Sequence, residues 1–214
     1  MYFELVQGAV DATPRAFADR LTARKVTCAG AWKVTAGAAL PAVAVLHRWG
    51  DLAAREAALA DGTHVLTCDL LQRHSTAIFG PSPAWTLARR EELVPPGAIY
   101  ELRMQRVLNG HGAEAAQVLG ESTLPLLQAM GARVLGVFDL LLGANRPGLA
   151  TLLAWPGLAA QQQAWARLHV EPRFWRRRDE EQSRLHRRLF GDEEALLLGA
   201  LAGFAPAPDL GVAA

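Results

Sequence analysis

Cysteine is scarce in this chain, with only Cys28 and Cys68 among 214 residues. Two residues so far apart make neither a disulfide framework nor a metal-ligand pair, and small buried thiols are the expectation. Net charge is nearly absent too. The 22 Lys and Arg against 21 Asp and Glu exclude a global field that recruits nucleic acid or an anionic membrane. No run approaches about 18 uninterrupted apolar residues, and Met1-Tyr2-Phe3-Glu4-Leu5 lacks the basic and then apolar pattern of a leader. The reading is a cytoplasmic protein with no membrane partner. Walker A, GxGxxG, GxSxG and HExxH patterns are all missing. The six histidines form no HxH or Cys/His group, so neither a metal nor a cofactor is expected. His111, in Asn109-Gly110-His111-Gly112, reads as an exposed turn residue rather than an axial haem ligand. What is present is a globular composition, 51% hydrophobic and 20% charged, sufficient for one or two domains.

Laid against itself, the chain shows three matches in the same order. Phe3-Glu4-Leu5 returns as Tyr100-Glu101-Leu102, Leu46 to Leu52 as Leu152 to Leu158, and Phe79-Gly80-Pro81-Ser82-Pro83 as Phe204-Ala205-Pro206-Ala207-Pro208. The growing offset marks insertions in the later copy, one of them at an Arg-rich stretch near residues 170–190. Each copy reads strand, helix, strand, strand, helix, strand, the order of a ferredoxin-like unit. Thr13-Pro14 and Asp51 supply helix starts, and a hairpin turns around Gly37. The expected layout is a first unit over 1–90, a linker over 91–97 that contains Pro95-Pro96, a second unit over 98–208 and a tail over 209–214. The fold class is α+β: two tandem ferredoxin-like units forming a fused dimeric α+β barrel.

Ile99-Tyr100-Glu101-Leu102-Arg103, Gly110 before a helix, Gly131-Ala132-Arg133 before a strand and Trp155 at a strand end resemble the NIPSNAP family of the dimeric α+β barrel superfamily. The resemblance runs over about residues 98–205 and is faint over 1–90, where Trp49-Gly50-Asp51-Leu52 survives. It implies a barrel that relatives build from two chains and that this chain builds from its two halves. It supplies a pocket rather than a reaction.

Side chains alternate faces along a strand, which puts Tyr100, Leu102 and Met104 opposite Glu101, Arg103 and Gln105. With the apolar set assigned to the helices, the polar set faces the inter-sheet space, joined by Glu4, His47, Trp49 and Trp155. The candidate catalytic residues are therefore Glu101, His47 and Arg103, and the candidate ligand-binding residues are Glu4, Trp49, Gln105 and Trp155. Each has a plainer alternative: an ion pair for Glu101 and Arg103, a buried strand histidine for His47, packing for the tryptophans. Two function classes stay open on one small, apolar or anionic organic ligand. One is an enzyme acting by proton transfer or cofactor-free oxygenation, the other a non-catalytic binding or interaction module. Association of barrels into a homo-oligomer is left open. The Arg-rich run from Arg173 to Arg188, with Arg176–Glu180 and Arg177–Glu181 at i,i+4, reads as a salt-bridged helix and not as a nucleic-acid surface.

Overall fold

The computed structural model describes residues 1–38, 40–68, 71–85, 94, 96–201 and 203–204, with the side chains of 68 and 72 excepted. Most of the expected linker, the closing repeat from 205 on and the tail lie outside the described residues. The first half runs β1 (Tyr2–Val10), α1 (Pro14–Ala23), β2 (Gly30–Ala36), β3 (Ala42–Trp49), α2 (Leu52–Ala60), a 3-10 turn (Val65–Cys68) and β4 (Leu71–Pro81). The second runs β5 (Ile99–Val107), α3 (Gly112–Val118), a π-helical turn (Leu119–Thr123), α4 (Leu124–Ala129), β6 (Arg133–Leu142), β7 (Gly148–Trp155), α5 (Leu158–Leu168), α6 (Pro172–Leu185) and β8 (Phe190–Ala200).

Local chemistry accounts for the starts and irregularities. The Thr13 hydroxyl accepts from the Ala16 N–H and the Asp51 carboxylate from the Ala54 N–H, so both expected caps form. Pro125 has no N–H to donate to the carbonyl one turn back, and the wide π turn falls immediately before it. Gly37 turns the β2–β3 hairpin at φ +95°, where an added Cβ would lie 2.1 Å from the Ala195 carbonyl oxygen. Only glycine fits that close approach to β8.

Within each half the strands pair in the order β4-β1-β3-β2 and β8-β5-β7-β6, all antiparallel. Each such sheet has two edges. The edge strands meet as β2·β8 and β4·β6, so one polypeptide closes an eight-stranded barrel and leaves no unpaired rim.

The inward and outward faces can be told from packing. Val6 and Val10 share a cluster with Phe17 and Leu21 of α1, which puts the even-numbered face of β1 under a helix. On the odd-numbered face, Phe3 meets Phe138 of β6 edge-on, with ring centroids 4.9 Å apart across the intervening β4. Trp32 and Tyr100 approach to 6.0 Å across β8 in the same way. The lumen is therefore the apolar layer: Phe3 and Leu5, Trp32, Phe79, Tyr100 and Leu102, Phe138, all buried.

This reverses the expected register. Glu4, His47, Trp49, Glu101, Arg103, Gln105 and Trp155 lie outside the barrel wall, beneath helices, while Tyr100 and Leu102 fill the lumen. An eight-stranded barrel is just wide enough for its own side chains to fill. A carboxylate inside would lose water and find no helix to pair with, whereas on the outer face α2 and α5 bring donors to it. Both faces of β1 and β5 are largely buried, so apolarity alone does not distinguish inside from outside.

Candidate functional site

Each half carries one carboxylate on its first strand, fully enclosed between sheet and helices. Glu4 is 0% and Glu101 1% exposed. The Trp49 indole donates to Glu4 Oε2 at 2.9 Å, and the Trp155 indole donates to Glu101 Oε2 at 2.9 Å. In both halves the Trp that ends the third strand thus ties it to the first strand. The second donor comes from the following helix and differs between copies. Arg55 of α2 donates from Nε to Glu4 Oε2 and from Nη2 to Oε1, both at 2.9 Å. In the second half, Trp165 of α5 donates its indole N–H to Glu101 Oε2 at 3.0 Å.

Around Glu4 the remaining partner is His64, whose Nε2 lies 3.1 Å from Oε2. His64 Nδ1 accepts from the Leu66 N–H, which places the ring proton on Nε2, pointed at the carboxylate. Burial alone would raise the Glu4 pKa, but the hydrogen bonds from His64 and Arg55 outweigh it and hold the carboxyl at about 2. His47, His64 and Trp49 stack, His47 on His64 with centroids 4.4 Å apart. His47 Nδ1 donates to the Thr27 carbonyl at 2.6 Å, while its Nε2 is enclosed with no hydrogen bond. Burial, reinforced by His64, pushes His47 down to about 4, so its ring is neutral at pH 7. Cys28 nearby is half-buried, and burial pushes its thiol up to about 11, which makes it inert rather than reactive.

In the second half Arg103 donates to Glu101 Oε1 at 2.6 Å, also contacts Glu193, and lies over the Trp165 ring with its guanidinium carbon 3.6 Å from the centroid. Burial lowers its pKa against the opposing pull of Glu101. Gln105 donates weakly to Glu193 at 3.3 Å. Arg103 and Gln105 line a cavity of about 30 Å³ under the π-helical turn and α4, enough for about one water. His47 and Glu101 belong to different halves, with β2 and β8 between their strands. The candidate residues therefore form two clusters, Glu4 with His47 and Trp49, and Glu101 with Arg103, Gln105 and Trp155.

A larger opening lies farther along the helix-covered face of the second half. Between α6 and the start of β8 a cleft of about 210 Å³ is lined by Trp175, Arg178, Asp179, Glu181, Arg188 and Phe190, among others. The Arg178 guanidinium lies over Phe174 at 4.6 Å and over Phe190 at 5.1 Å. It makes no hydrogen bond or close ion pair among the described residues. Burial lowers its pKa, Glu181 opposes that, and the charges of Arg103 and Arg188 add to it. The arginine run is thus more than a solvated face. Phe174 and Glu181 are buried, Arg177 pairs with Glu181 at 3.0 Å, and Arg184 reaches Glu114 on α3.

Sequence reasoning missed Arg55, His64, Trp165 and Arg178. The signal available was helix position: Arg55 and Trp165 each lie on the helix that follows Trp49 or Trp155, at different turns. Among the described residues a cavity of about 80 Å³ lies at one mouth of the lumen, over Leu5, Met104 and Leu140.

No family model matches the chain, and no curated protein does. Solved structures do. A protein of Fusobacterium nucleatum, provisionally named a monooxygenase, matches with a TM-score of 0.58 at 8% identity, over 94% of this chain and 92% of its own. A mutant chlorite dismutase of Candidatus Nitrospira defluvii matches with 0.52 at 10% identity, over 94% and 92%. A NIPSNAP family protein of unknown function from Agrobacterium tumefaciens matches with 0.40 at 20% identity, over 49% of this chain and 89% of its own. What the first two share with the chain is the fold, the α+β barrel built from ferredoxin-like units. No helix among the described residues is long and apolar enough to cross a membrane.

Proposed function

We propose that the protein binds a small organic anion in the cleft between α6 and β8, outside the barrel lumen. The observation that carries this reading is Arg178, a half-buried guanidinium held over two rings where the cleft opens, with no hydrogen bond to a described residue. A half-buried cation has already given up part of its hydration, so an anion that reaches it gains a charge-assisted hydrogen bond at a lower desolvation cost. Arg188 offers a second cation, while Trp175 and Phe190 offer apolar walls. The volume suits a monocyclic acid rather than a drug-sized molecule.

In this reading Glu4 and Glu101 fasten helices to strands, His47 packs, and Arg103 backs the cleft through its charge. The NIPSNAP-like character of residues 98–205 rests on the motifs quoted above, and the cleft comes from the Arg-rich insertion that one half carries. The test uses benzoate as probe. Benzoate is expected to raise the Tm of the wild type in a concentration-dependent manner and to leave that of Arg178→Met unmoved, since Met keeps the stem between the rings and removes the charge. Equal shifts in both proteins would contradict the assignment.

A further inference from the structure

Glu181 stands on the same cleft and is 3% exposed. Arg177 Nε comes within 3.0 Å of its Oε1, yet that oxygen is enclosed without an aligned hydrogen bond. Arg178 acts on it only through space, because its guanidinium is held over the two rings. Burial disfavours the ionised carboxylate and raises its pKa, opposed by Arg177 and Arg178 and assisted by Glu180. The other charges around it are Asp179 on the exposed rim of α6, Arg188 on the facing segment and, through Arg178, Arg103 on β5.

A ligand carboxylate placed against Arg178 and Arg188 would put a second negative charge beside the buried carboxyl of Glu181. Two carboxylates so placed share one proton more readily than they both ionise. We propose that the cleft is a proton-linked anion site, in which an organic carboxylate entering against Arg178 and Arg188 draws one solvent proton onto Glu181. This rests on the reading of the cleft as an anion site. The only bond formed is the O–H of Glu181, which then donates to the ligand instead of repelling it.

Calorimetric titration of benzoate into the full chain near pH 6, in two buffers of different ionisation enthalpy, counts the protons taken up. The wild type is expected to take up a fraction approaching one proton per benzoate, and its affinity to weaken by up to tenfold per pH unit as pH rises. Glu181→Gln is expected to bind benzoate with no uptake and with affinity flat in pH. Saturable binding with no uptake, or the same uptake in Glu181→Gln, overturns the proton link and leaves the anion site standing. No saturable binding by the wild type overturns both. If the Gln variant fails to fold, the wild-type proton count alone decides.

Discussion

Glu101→Ala is expected to lower the unfolding free energy by about 3–5 kcal/mol, a large share of what a domain of this kind has in total. The carboxylate accepts from Trp155, Trp165 and Arg103. Its removal leaves two indole N–H groups without an acceptor under α5, each costing about 1–3 kcal/mol. Arg103 keeps Glu193 alone. Glu101→Gln retains the shape and one carbonyl acceptor, so its loss should be no more than about half as great. Urea unfolding of the two variants beside the wild type reads both numbers from the midpoint at constant slope. If Glu101→Ala unfolded at the wild-type midpoint, the carboxylate would not be fastening α5 to the sheet.

An effect of similar size is expected from acid, and it originates in the first half. His47 is held at about 4 against an ordinary 6.5, so as pH falls through 6.5 the unfolded chain takes a proton that the folded chain refuses. Stability present above pH 6.5 is therefore lost down to about pH 4. Glu4 is held at about 2 against 4.5, and its contribution, present above pH 4.5, is lost between there and about pH 2. Each shift corresponds to a loss on the order of 3 kcal/mol, not additive because the two groups interact. His47→Leu should flatten the limb between pH 6.5 and 4 and leave the lower one. A stability profile unchanged by that substitution would place the upper limb elsewhere.

Much of the architecture was legible because its signals are local. Thr13-Pro14 and Asp51 announced two helices and Gly37 a hairpin, and Trp49 and Trp155 each end the third strand of their half. The start of β8 carries no such signal, since Phe190-Gly191-Asp192-Glu193-Glu194 is polar and shows no strand alternation; the pairing of Glu193 with Gln105 and Glu194 with Met104 makes it a strand. The site residues were found by type and misplaced by face. Period two separates Glu101 and Arg103 from Tyr100 and Leu102, but it does not say which set goes inside. That is decided by barrel closure, a property of the eight strands together. Arg178 was hidden for a different reason: its neighbours in sequence, Arg177 and Glu181, suggest an ordinary surface pair, and only the fold brings Phe190 beneath it.

The position of the ligand site is tested most directly by the indole N–H resonances of the six tryptophans during a benzoate titration. Trp175 lines the cleft and Trp32 the lumen, so the two report on the competing locations independently. The Trp175 signal is expected to move saturably with benzoate while that of Trp32 stays in place. A saturable shift at Trp32 with Trp175 unmoved would put the ligand inside the barrel and contradict the account.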